Sequence, residues 1–180
     1  MNQAIKKLID ITTAEIGTHE SARNNTGPKI EEYQRATWLE PAAWPWCAAF
    51  TCWIMREWLK DEPVRNDVKS CFKRSTLTLA EAEKVRCQDA SAFGWEKWAK
   101  KHEIAVLQET ELAKAGDFVV FDFSHIGLVI EDQTSLHSKI ITIEGNTNKK
   151  GTRDSISNDG VWRKEREPNL TKSYIRLFSK

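Results

Sequence analysis

The chain has 180 residues, 40% hydrophobic and 29% charged, with a formal net charge of +1. That length suits a single domain, 1–180, able to bury its own core, and the balance of charge excludes a global field that would draw in nucleic acid or anionic lipid. The start, MNQAIKKLIDITTAEIG, lacks the apolar core of a signal peptide, and no run is long and apolar enough for a bilayer span; the expectation is synthesis in the cytoplasm with free thiols and no stable membrane insertion.

Ile5, Leu8, Ile9, Thr12 and Ile16 recur at helical spacing, and Gly17 follows as a stop. SARNNTGPK is a turn-rich loop, and Pro28 within it can open a short helix with Ile30 and Tyr33 on one face. The loop LEPAAWP leads into the most apolar helix, from Cys47 to about Leu59, and 61–78 reads as polar and irregular. Weaker helical stretches follow at 79–85 and 92–101. After Ala115 the texture changes. Segments 116–123, 126–131 and 140–144 are short, β-branched and bounded by turn residues, and 160–163 and 174–178 are candidate last strands. Helices first and a strand meander second predict an α+β fold, with N-terminal helices packed on an antiparallel β-sheet. Most of the eight tryptophans are expected in the core, whereas Trp38, Trp44 and Trp46 crowd the loop before Cys47.

No two of the four cysteines, Cys47, Cys52, Cys71 and Cys87, have C-x-x-C spacing. Pro45 marks the start of the apolar helix and puts Cys47 in its first turn. Unpaired backbone N–H groups and the positive end of the helix dipole favour an anion there, which for cysteine is the thiolate. On a helical wheel Cys47 aligns with Phe50, Thr51, Ile54 and Trp58, the inward face. Cys52, Cys71 and Cys87 read as small buried hydrophobes.

Among the histidines, His102 in a charged stretch (AKKHE) and His137 in a polar turn (TSLHSK) read as solvated, and His19 is ambiguous. His125 lies between two apolar strands, where a rigid scaffold can hold a general base. The next strand ends IITIEGNTN, and alternation puts Glu144 and Asn146 on one face if the strand runs that far. Either can then orient the imidazole as the third member of a triad.

PWCAAF around Cys47, AGDFVVFDFSHIGLVIE around His125 and ITIEGNTN around Glu144 and Asn146 together resemble the cysteine, histidine-dependent amidohydrolase/peptidase (CHAP) domain, within the papain-like set of cell-wall hydrolases. EIGTHESARNNTGPKIEEYQ resembles the N-terminal part of one branch of that family. The resemblance implies a papain-like single domain whose catalytic set is Cys47, His125, Glu144 and Asn146. Cys47 would attack an amide of bacterial peptidoglycan through a thioester. The bond would be either the N-acetylmuramoyl–L-alanine amide or one in the stem peptide or cross-bridge. Trp44 and Trp46 would line the substrate groove. Some members carry an aspartate-rich calcium loop before the cysteine; LEPAAWPWC has one acidic residue, so no metal and no cofactor are expected, and the protein is expected to be a monomer. The missing signal peptide and the absence of a second wall-binding domain suit a phage endolysin released through a membrane pore onto the wall. They also suit an antibacterial amidase effector or a virion-associated enzyme. The other classes are a catalytically silent wall-binding module and a metal hydrolase using Asp122, His125 and Glu144, which lacks an H-x-x-x-H pair.

Overall fold

The structure is a computed structural model and describes residues 2–149 and 159–178. Helix α1, Gln3–Ala14, starts where the Asn2 side chain accepts a hydrogen bond from the Ala4 N–H at 2.7 Å, and it buries Ala4, Leu8 and Thr12. Gly17 follows with φ of 95°, the left-handed turn that ends this segment. Helix α2, Pro28–Gln34, has proline in its first turn and buries Ile30 and Tyr33, as their spacing predicts. Helix α3, Cys47–Trp58, is the central element. Ten of its twelve residues are buried, because α1, α2 and α6 flank it while strands β3 and β4 lie against it.

The segment 61–78 is not irregular. It holds α4, Glu62–Val68, and a 3₁₀ turn, Lys69–Phe72. Asp61 caps α4 by accepting from the Val64 N–H at 3.2 Å, with a proline in the first turn, and Val64 and Val68 are buried. Two apolar residues one turn apart are a weak periodic signal, but Asp-Glu-Pro is a helix start. Helix α5, Leu79–Val85, is held by a capping box between Thr78 and Glu81. Helix α6, Ala92–Lys101, buries Trp95 and Trp98.

Among the described residues six strands then form one antiparallel sheet in the order β1-β6-β2-β3-β4-β5. They are β1 Ala105–Leu107, β2 Phe118–Phe121, β3 His125–Val129, β4 Ile140–Thr147, β5 Gly160–Arg166 and β6 Thr171–Arg176. Strands β2 to β5 are the expected meander, and β6 returns to the other side of β2 and pairs with β1. Three residues are too few for β1 to show in the sequence; its partner β6 makes it a strand. Alternation divides the sheet. Phe118, Val120, Ile126, Leu128, Ile143, Val161 and Ile175 join the helices in the main core, whereas Val119, Phe121, Val129, Ile140 and Tyr174 form a smaller cluster on the opposite face. Thr142 and Glu144 share that opposite face with Ile140. The register brings Arg166 opposite Ile140 and Lys164 opposite Thr142.

Candidate active site

Cys47 is the first residue of α3, with Trp46 before it as an N-cap that supplies no side-chain bond. The N–H groups of this first turn therefore have no intrahelical acceptor. Cys47 is buried, 7% exposed. His125 opens β3 and stands opposite Phe121 in the register. The connecting turn, 122–124, has Ser124 at φ of 60°, the left-handed residue that a three-residue hairpin loop requires. The tight turn thus fixes the imidazole at the end of two buried strands.

His125 Nε2 lies 2.8 Å from Glu144 Oε2. With Nε2 so committed, Nδ1 is the nitrogen left for the Cys47 sulfur, which lies near enough to favour the protonated ring. Gly127 makes the pairing with Glu144 possible, because a Cβ there would stand 2.5 Å from Glu144 Cγ. Gly145 does the same for the helix, since its Cβ would lie 2.7 Å from the Trp46 ring and 2.8 Å from Phe50. Both glycines are required by close approach rather than by backbone angle.

Glu144 is fully buried. It accepts from Thr142 Oγ1 at 2.6 Å and from Arg166 Nε at 2.9 and 3.1 Å, and Arg166 Nη2 also donates to it. Arg166 is itself buried, with its guanidinium over the rings of Phe121 and Phe123 at 5.4 and 5.6 Å. The His125 ring stacks on Phe123, centroids 5.6 Å apart and 9° between planes. Nothing in the sequence pattern singles out Arg166; its role comes from the β4–β5 register.

Burial by itself would raise the Glu144 pKa, but the Arg166 bonds, and then His125, hold it down to about 2. Burial would likewise lower that of His125. The neighbouring Cys47 overcomes this, with Glu144 adding to it, and the two push it up to about 9. Near neutral pH the imidazolium therefore stands between the Cys47 sulfur and a permanent carboxylate.

Asn146 does not reach His125. A bulge breaks the β4–β5 register between Glu144 and Thr147, and Asn146 has φ of 57°, so the alternation that placed it beside Glu144 fails. Its Oδ1 accepts from the Trp46 N–H at 2.7 Å, and its Nδ2 donates to Asp159 at 3.0 Å and Asn25 at 3.3 Å. It pins the residue before Cys47. Gln34, which carries no signal in the sequence pattern, clamps the same loop: its amide donates to the Ala42 carbonyl at 2.7 Å and the Trp44 carbonyl at 3.1 Å and accepts from the Ala42 N–H at 3.2 Å.

Trp46 is not a substrate-facing residue. Its side chain has no exposed surface, stacks on Tyr33 at 5.6 Å and donates to Glu20 at 2.8 Å. Trp44 remains half-buried on the loop, donating to the Glu40 carbonyl at 2.9 Å. Cys52 and Cys87 are buried, Cys71 partly so, and burial pushes the thiols of Cys52 and Cys71 up. His102 is half-buried against Phe72 and Trp98 rather than solvated. His19 stacks edge-on against Trp162, and His137 is exposed. Among the described residues no group of three or more His, Cys, Asp or Glu side chains is placed to hold a metal ion. Asp122 lies exposed in the hairpin turn.

A thiol at a helix start, an imidazole beside it and a carboxylate behind the imidazole form a constellation able to carry out acyl transfer. The chain matches no family model, no curated protein and no solved structure.

Proposed function

We propose that the chain is a cysteine-dependent amide-bond hydrolase of the CHAP type, papain-like in its site, that acts on bacterial peptidoglycan. The observation that carries this reading is the buried line from Cys47 through His125 to Glu144, with His125 Nε2 at 2.8 Å from the carboxylate. The sequence resemblance around the same three residues supplies the substrate.

In this mechanism the Cys47 thiolate attacks the amide carbonyl and forms a C–S bond. The oxyanion that develops faces the unpaired N–H groups of the first turn of α3. The His125 imidazolium gives its proton to the leaving amine as the C–N bond breaks, which leaves a thioester. Neutral His125 then takes a proton from water, the hydroxide attacks the thioester, and the acid leaves as the C–S bond breaks. Glu144 holds the ring orientation throughout and favours its protonated form. Release onto the wall by a phage lysis pathway suits a compact enzyme of this kind.

The test is turbidity loss of purified peptidoglycan with the wild type, Cys47→Ala and Cys47→Ser, with mass spectrometry of the fragments. The expected result is lysis by the wild type alone, and the new fragment ends identify the bond. Undiminished lysis by Cys47→Ala sinks the reading, and binding without turnover marks a wall-binding module instead.

A further inference from the structure

A second cleft, away from Cys47, has a chemistry that the proposed reaction does not use. It encloses about 350 Å³ and is lined by Trp38 from the loop after α2, Lys84 from α5, the link that follows α5, and Lys97, Lys101 and His102 from α6 and its end. Trp38 is 65% exposed, a large apolar area left in water. Its backbone is nonetheless fixed, the Trp38 N–H donating to the Gln88 carbonyl at 3.0 Å. The indole is thus presented from a held stretch of backbone.

The lysines are the second observation. Lys6, Lys7, Lys29, Lys60, Lys73, Lys114, Lys139 and Lys172 each have a carboxylate partner. Among the described residues Lys69, Lys84, Lys97, Lys100 and Lys101 have no carboxylate within ion-pair distance, and three of these five, Lys84, Lys97 and Lys101, are exposed together at this cleft. Lys97 and Lys101 stand one turn apart on α6, a like-charge spacing that costs a helix stability. Helix dipoles explain lysines at the ends of α5 and α6, but not Lys97, and not an indole beside them. Arg86 is already matched by Glu83 and by the carbonyls of Ala36 and Cys87. The acid in the cleft, Asp89, accepts from the Ser91 N–H at 2.9 Å and folds over Gly94, so it bonds none of the lysines. Burial and the neighbouring Lys101 and Arg74 lower the pKa of His102, so it is neutral near pH 7.

We infer that this cleft binds an anionic glycan, one sugar ring lying on Trp38 and its phosphate or carboxylate groups meeting Lys84, Lys97 and Lys101. A single-stranded nucleic acid fits less well. It needs a charged track for several successive phosphates and more than one stacking platform, and the chain's net charge is only +1. The binding itself does not depend on the hydrolase reading.

The test is calorimetric titration of the full chain, at low and moderate salt, with a poly(sugar phosphate) and with oligogalacturonate. A neutral chitin oligosaccharide and a single-stranded oligonucleotide serve as controls. The expected result is salt-sensitive binding of at least one anionic glycan, and the stronger of the two identifies phosphate or carboxylate as the recognised group. Trp38→Ala is expected to weaken it at least tenfold with its salt dependence kept. The double variant Lys97→Gln, Lys101→Gln should weaken it similarly and flatten the salt dependence. Both change exposed side chains, and an unchanged circular dichroism spectrum shows that the fold is intact. Cys47→Ala should bind as the wild type does, which separates this site from the proposed reaction. No binding of either anionic glycan, equal binding of the neutral one, tighter binding of the oligonucleotide, or wild-type affinity in the variants each overturns the inference.

Discussion

Cys47 and Cys52 lie five residues apart on one helix, and both are buried, at 7% and 0% exposure. Their surroundings differ in kind. Cys47 stands in the first turn, where backbone N–H groups are unpaired and an imidazolium faces the sulfur. Cys52 is more than a turn further in, its sulfur 3.5 Å from the Asp89 carbonyl, and burial pushes its thiol up. Burial alone therefore does not separate the two thiols. The helix end and a base brought by another element do so.

Substitution at the two positions breaks the comparison most sharply. On the proposed mechanism Cys47→Ala should lose peptidoglycan lysis by about 10³-fold or more. Cys52→Ala should keep its rate and lose on the order of 1 kcal/mol of stability to the small cavity it leaves, read by urea unfolding. Next in size is Arg166→Met, which strands a buried carboxylate. It should cost about 3–5 kcal/mol in the same unfolding experiment, and Arg166→Lys should recover part of the loss.

The carboxylate behind the base sharpens the comparison further. In Glu144→Gln the pKa of His125 should fall from about 9, because one cause of its elevation is removed. The alkaline limb of the kcat/KM profile should move to lower pH with it. The pair also shapes stability. His125 is raised above its unfolded value, so its contribution is complete below roughly pH 6.5 and is lost as pH rises through about 9. Glu144 is depressed to about 2, so its contribution is complete above roughly pH 4.5 and is lost as pH falls through about 2. Unfolding midpoints across pH should show a plateau between these limits, and Glu144→Gln should flatten the acid side. Among the residues around the site the smallest effect belongs to Asn146→Ala. Loss of its bond to the Trp46 N–H should cost about 1–2 kcal/mol and reduce activity less than Glu144→Gln, with the alkaline limb unmoved. A moved limb would place Asn146 on the base after all.

The main architecture was legible because it depends on local pattern. Apolar spacing located α1, α2, α3, α5 and α6, and β-branched runs located β2 to β6 within a few residues. Helix α4 escaped because its apolar residues are few, and β1 because its conformation depends on its partner. The site divides in the same way. Proline before an apolar helix places Cys47 in a first turn, and a short hairpin between two apolar strands places His125 at the end of the scaffold; both follow from neighbouring residues. The choice of Glu144 over Asn146 depends on a bulge, the use of Arg166 on a strand register, and the burial of Trp46 on Tyr33 arriving from another helix. Those are contacts between residues far apart in the chain, and pattern within a segment carries no information about them. Sequence by itself thus determined which residues stand at the ends of elements. Only the tertiary structure decided which of them meet, because meeting depends on how the helices and the sheet are packed together.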